Sequence, residues 1–215
     1  MAKKKTSVTE INTDKIQQKG TTGVVQITEP YTALVVVVGT DPLLFHRFDT
    51  ENAEAKAKAA KGSAEKKTDN VESYVYRNEK NELIWPGINF KGALRNAAKF
   101  KQDPRSPRKS MADLLRAAVK IKDASFGVNT WDYLDKRSVR VQQNGVIRTR
   151  PAMKPGWKLA HEICVVLPEY MSPRVLSELC VDAGRLIGLG DYRPDFGCFR
   201  VELFEVLELD AEAAE

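Results

Sequence analysis

The chain has 215 residues, 42% of them hydrophobic, and its 34 Lys+Arg against 29 Asp+Glu give a net charge of +5 and a pI near 9.0. That length suits one domain that buries a full core without disulfide or metal staples. Three cysteines without CxxC spacing (Cys164, Cys180, Cys198), two histidines (His46, His161) and no apolar run of the ~18 residues needed to span a bilayer argue against a disulfide framework, a metal centre and a membrane protein. The N-terminal Met-Ala-Lys-Lys-Lys leads into polar residues rather than an apolar core, so no secretory signal is read there. The expectation is a cytoplasmic protein with no cofactor and no metal.

Residues 1–22 are polar and aperiodic and read as a flexible arm. Tyr31 to Gly39 carries the β-branched run Val35–Val38 between Pro30 and Gly39 and reads as a buried central strand. Asp41 to Arg47 (DPLLFHR) leaves it. Glu51 to Asp69 follows, with five Lys, four acids and no large apolar residue, and it reads as a charged insertion of about 45–72 projecting from the domain. Val71 to Trp85 reads as a hairpin turning at Asn78–Asn81.

Pro86–Gly87 breaks the strand, and a helix is predicted from about Asn89 with that residue as N-cap. Phe90, Ala93, Leu94, Ala97 and Ala98 share its apolar face, and Lys91, Arg95 and Lys99 form a basic stripe at i, i+4, i+8. Asp103 to Ser110 (DPRSPRKS) reads as a proline-broken basic loop, Met111 to Val119 as a short helix capped by Ser110, and Lys122 to Asp135 as irregular. Arg137 to Arg150 alternates about Asn144–Gly145, a strong hairpin signal, with Arg137, Arg140, Arg148 and Arg150 on its polar face. A strand over Lys158–Leu167 comes next. A helix then opens at Ser172–Pro173 and runs to about Ile187, followed by a glycine-rich loop (Gly188 to Gly197) and a last strand (Cys198 to Leu209). Residues 210–215 form an acidic tail. This order predicts an α+β fold: a ferredoxin-like (RRM-like) core with an extra β-hairpin and the projecting insertion, in one domain over 23–209.

Charge is unevenly spread. Pro86 to Lys122 holds ten Lys/Arg and two Asp, Lys136 to Lys158 seven Lys/Arg and no acid, and Glu202 to Glu215 six acids and no base. Such blocks point to a polyanion-binding face; the alternative is a set of ordinary solvated faces.

Two motifs carry the functional reading. In WPGINFKGALR (Trp85 to Arg95) a strand runs into a helix whose free N–H groups and Lys91 attract phosphate; alternatively its glycine only permits close packing. In GRLIGLGDYRPDFGCF (Gly184 to Phe199), Gly188, Gly190 and Gly197 allow close backbone approach, Tyr192 and Phe196 offer stacking faces, and Arg193 offers charge; alternatively Gly188 is a helix C-cap before an ordinary turn. The second motif is neither a Walker loop nor a dinucleotide fingerprint.

Together the motifs resemble the RAMP superfamily, and within it the backbone subunits that coat guide RNA in CRISPR effector complexes. That family carries a strand-turn-helix motif of the form P-G-(small)-(small)-(apolar)-(K/R)-G-x-x-R, matched by Pro86, Gly87, Phe90, Lys91, Gly92 and Arg95, and a glycine-rich loop before its last strand. Here Ile88 and Asn89 stand where the family prefers small hydroxyl residues. The stretch GTDPLLFHRF and the Lys/Glu-rich stretch after it are also similar to an uncharacterised family of bacteriophage proteins. The resemblance implies single-stranded nucleic acid as partner, RNA before DNA, bound without regard to sequence, with copies assembling head to tail. Expected contacts are Arg47, Asn89, Lys91, Arg95, Lys99, Arg137, Arg140, Arg148, Arg150, Gly188, Gly190, Tyr192, Arg193 and Phe196.

Three other roles stay open. One is a phage protein that binds or anneals single-stranded DNA beside recombination proteins; another is a mimic that joins or inhibits a CRISPR effector by protein contact. The third is a ribonuclease, since some RAMP relatives cut RNA with a loop aspartate or a histidine; Asp41 and His46, with Asp49 near them, are the candidates. No nucleophile, second base or metal set accompanies them, so a non-catalytic protein is expected. His161, in an apolar strand, reads as a core histidine.

Overall fold

The computed structural model describes residues 29–47, 58, 70–141 and 144–207, the side chains of 139–141 and 144–146 excepted. The expected arm, the acidic tail and most of the insertion, Asp49 included, lie outside the described residues.

The described residues form an α+β structure with antiparallel sheets. β1 (Tyr31–Gly39) is central in the main sheet, as its β-branched run predicts, between β11 (Lys158–Val165) and β12 (Phe199–Leu207); β7 (Val119–Ile121) extends the sheet beyond β11, for the order β12-β1-β11-β7. Burial alternates along β1 and β11, so one face of the sheet carries Ala33, Val35, Leu159, His161 and Ile163 into the core. Helices α1 (Gly87–Ala97) and α3 (Pro173–Asp182) supply the other half of that core through Phe90, Ala93, Leu94, Leu176, Leu179 and Cys180. α2 (Ala112–Ala118) packs beside α1. Three smaller pairings surround this body: β2 (Leu43–Leu44) on β10 (Asn144–Met153), itself paired with β9 (Tyr133–Val141); β3 (Tyr76–Arg77) and β8 (Ala124–Ser125) flanking β4 (Leu83–Trp85); and a hairpin of β5 (Gln102–Asp103) and β6 (Ser106–Ser110).

Several local expectations are corrected. α1 begins at Gly87, not at Asn89, and Asn89 caps nothing; the Gly87 N–H donates to Asp123 Oδ1 at 2.8 Å, so a carboxylate 36 residues downstream does the capping. α2 likewise has no side-chain cap, and Ser110 belongs to β6. The stretch over 103–110 is a hairpin because Asp103 accepts from both the backbone N–H and the guanidinium of Arg105, which closes the turn. Asn144–Gly145 is not the turn of the β9–β10 hairpin: Asn144 already pairs with Val141 and Gly145 with Arg140. The register is set at the far end, where Ala152 lies between Tyr133 and Leu44. By contrast α3 starts where the sequence says, with Ser172 Oγ accepting from the Val175 N–H at 3.4 Å and Pro173 at the first turn.

His161 is fully buried, stacks on Phe90 with ring centroids 4.3 Å apart, and bonds Lys122 O through Nδ1 at 3.0 Å; its Nε2 has no partner among the described residues. Burial holds its pKa down at about 4, against the resisting Lys122 carbonyl. Because the folded value lies below the unfolded one, the unfolded chain takes up the proton first as pH falls. Stability is therefore expected to be full above the ordinary histidine range and to drop by about 2 kcal/mol between about pH 7 and about pH 5. A His161→Phe variant should flatten that slope in urea melts; an equal slope in both proteins would contradict the assignment.

Candidate nucleic-acid interface

The glycine-rich loop is laced to the segment that leaves β1. After α3 a single π-turn (Ala183–Ile187) ends at Gly188, and the loop closes on itself through Leu189 N–H to Gly197 O at 2.9 Å. Two further bonds tie it down: Gly197 N–H to Pro42 O at 2.9 Å and Asp191 N–H to Leu44 O at 3.0 Å. Gly197 has φ of +73°, and a Cβ there would lie 1.8 Å from Leu189 O. The loop glycines thus provide close backbone contact, and the loop is a pinned element that presents Asp191, Tyr192 and the exposed Arg193.

The buried side of the loop is anchored by arginine. Arg150, only 2% exposed, donates from Nε to Asp191 Oδ2 at 3.1 Å, and its guanidinium lies 4.3 Å from the Tyr74 ring centroid. Arg137 grips Asp135 with two bonds, at 2.5 and 2.7 Å, and sets its guanidinium 4.8 Å from the Tyr192 ring and 4.4 Å from the Phe196 ring. The expectation of an exposed arginine face on this hairpin is corrected here: Arg150 is structural, and Arg137 already covers the aromatic pair. Arg148 is half-buried and opposite Arg137 in register; Arg140 pairs with Gly145, and its side chain lies outside the described residues.

Between the loop and α1 lies a cleft of about 330 Å³. α1 contributes Ile88, Asn89, Gly92 and Asn96 to its lining, and His46, Tyr76, Trp85, Gly190, Asp191 and Arg193 complete it. Asn96, Gly190, Asp191 and Arg193 also border a second depression that reaches Leu186 and Tyr192, so the two make one trough along α1. Arg193, at its lip, has no carboxylate partner among the described residues. Arg47 is exposed beside the trough with its guanidinium 5.3 Å from the Tyr76 ring.

The cleft takes the uncharged face of α1. The basic stripe lies elsewhere: Lys91 Nζ donates to Val119 O, Arg95 approaches Asp113 at 3.9 Å, and Lys99 is exposed. Burial, then Arg116 and Lys120, lower the Lys91 pKa. The phosphate expected at the start of α1 meets a site already capped by Asp123. Asn89, Gly190, Arg193 and His46 were thus singled out and do line the cleft, whereas Asn96, Tyr76 and Asp191 were not. The i, i+3, i+7 spacing of Asn89, Gly92 and Asn96 was the available signal.

The two catalytic candidates are not brought into one site. Asp41 accepts from Thr40 Oγ1 at 2.9 Å, and its backbone carbonyl takes the Trp157 indole N–H. His46 Nδ1 lies 3.5 Å from Asp191 Oδ2 at the cleft, and its pKa is lowered by burial and by Arg150, with Asp191 opposing. Among the described residues no group of three or more His, Cys, Asp or Glu is placed to hold a metal ion, and no helix is long and apolar enough to cross a membrane.

No family model and no curated protein matches the sequence. Among solved structures the chain is similar to one described as the cryo-EM structure of the Type III-B Cmr-beta bound to cognate target RNA, with 14% identity and a TM-score of 0.50, covering 84% of this chain. It spans 61% of that neighbour's length. At this identity the likeness is one of fold.

Proposed function

We propose that this chain binds single-stranded RNA along the trough between α1 and the glycine-rich loop, as a non-catalytic coating subunit. The observation that carries the reading is the trough itself, an open groove whose lip carries Arg193, without a carboxylate partner among the described residues, built on a fold similar to a protein solved in an RNA-bound complex. Phosphates run past Arg193 and Arg47, with Arg95 and Lys99 extending the cationic surface on the far side of α1. The order β12-β1-β11-β7, with α1 and α3 on one face, supports a ferredoxin-like core and with it the RAMP reading. In the same reading the chain is one domain over 23–209 with its insertion projecting, and copies add head to tail along the strand through a heterologous interface.

Arg193→Glu tests this. Affinity for RNA oligomers is expected to fall about tenfold, and the salt dependence to weaken by about one unit of slope. Unchanged affinity and slope would remove the trough from the interface. Tighter binding of matched DNA would favour a phage single-strand DNA protein instead.

A further inference from the structure

Gly92 sits in the middle of α1, where a glycine costs a helix stability relative to alanine. Neither conformation nor packing requires it: its φ is not in the left-handed region, and a Cβ built there meets nothing within 4 Å. The space a side chain would occupy is the cleft, which Gly92 lines. Asn89 and Asn96 stand before and after it on the same face, both half-buried, and neither carboxamide makes a hydrogen bond among the described residues. The half-buried Tyr76 ring also lines the cleft, as does Ile88, an apolar side chain left 75% exposed.

A glycine floor between two carboxamides with no protein partner among the described residues, lined also by an aromatic ring and an aliphatic side chain, suits a flat heterocycle with a donor–acceptor edge. A carboxamide offers one donor beside one acceptor, the fork that matches adenine. Adenine carries an acceptor on either side of its N6 amino group, on the Watson–Crick and the Hoogsteen edge, so one base can serve both asparagines. Uracil and cytosine have one such edge, and so does guanine at N1–H/O6, since its N7/O6 pair asks for two donors.

We propose that the cleft holds one unstacked adenine of the bound strand, with Asn89 and Asn96 on its edges over Gly92 and Arg193 at an adjoining phosphate. This rests on the RNA-binding reading and adds a base preference at one nucleotide per subunit to binding that is otherwise indifferent to sequence.

The test is fluorescence anisotropy of labelled oligoadenylate and oligouridylate of equal length, at one salt concentration, with the full-length protein. Wild type is expected to favour oligoadenylate about tenfold. Gly92→Leu, which fills the cleft, and the pair Asn89→Ala with Asn96→Ala should each bring that ratio to within about twofold of one. A surface control, Arg174→Ala on α3, should keep it. Gly92→Leu is expected to melt at or above the wild-type temperature, and the double alanine variant repeats the test without added bulk. A wild-type ratio near one, or a ratio the cleft variants leave in place, overturns the adenine assignment while RNA binding stands. Failure of both oligomers to bind at low salt overturns the RNA-binding reading itself.

Discussion

Replacing Gly197 with alanine is expected to cost about 4 kcal/mol of stability and to abolish RNA binding together. Two effects add. The backbone is at φ +73°, where a Cβ is strained, and that Cβ would lie 1.8 Å from Leu189 O and 2.8 Å from Leu189 N. Nothing there is a flexible side-chain end that could swing aside, so the loop must open. Opening breaks the Leu189–Gly197 and Gly197–Pro42 bonds and releases the segment that carries Asp191 and Arg193. Urea melts and oligomer binding on the same preparation check this. A loss under about 1 kcal/mol would mean that the loop is not laced as described.

Arg150→Met is expected to cost about 3 kcal/mol. Met keeps the apolar length of the side chain, so the effect reads the charge. Removal leaves the partly buried Asp191 without its guanidinium and takes the cation from the Tyr74 ring. Arg150→Lys should recover only part of the loss, because an ammonium lacks the planar fork. A second readout is independent of stability. Arg150 lowers the His46 pKa and Asp191 raises it, so the variant should show His46 titrating at higher pH. The chain has two histidines, and burial holds His161 down at about 4, so imidazole NMR follows them as two signals, that of His161 assigned by its loss in His161→Phe. An unmoved His46 would show that the three groups do not form one cluster.

What could be read in the sequence followed local signals. The β-branched run of β1 and the Ser172–Pro173 start of α3 are encoded in a few adjacent residues, and both elements formed where those residues stand. The misreadings are places where a distant partner decides. Asp123 caps α1 across 36 residues, and no window around Gly87 shows it. The β9–β10 register is fixed by Ala152 against Leu44, which outweighs the turn preference of Asn144–Gly145. β7 is not read from the sequence, where Val119 ends the predicted helix, because three residues carry too little period to stand apart.

The candidate site divides in the same way. Its glycines, Arg193 and Asn89 are conspicuous in sequence. Net charge, however, drew attention to the Lys91–Arg95–Lys99 stripe and to the hairpin arginines, and the fold spends several of these on internal partners: Lys91 on Val119, Arg137 on Asp135, and Arg150 on Asp191. A count of basic residues does not distinguish a cation that anchors a loop from one that waits for phosphate. The partners do, and they emerge only with the fold.

The central claim, single-stranded RNA in the trough, is tested most directly by purifying the full-length protein without nuclease. Its 260/280 nm absorbance ratio and elution volume are read before and after separate RNase and DNase treatment. The account predicts a nucleic-acid-rich, large species that RNase alone reduces to protein of small size and protein-like ratio. A monomer with a protein-like ratio from the outset, and no binding to RNA oligomers at low salt, would contradict it and leave a protein partner as the ligand of this surface.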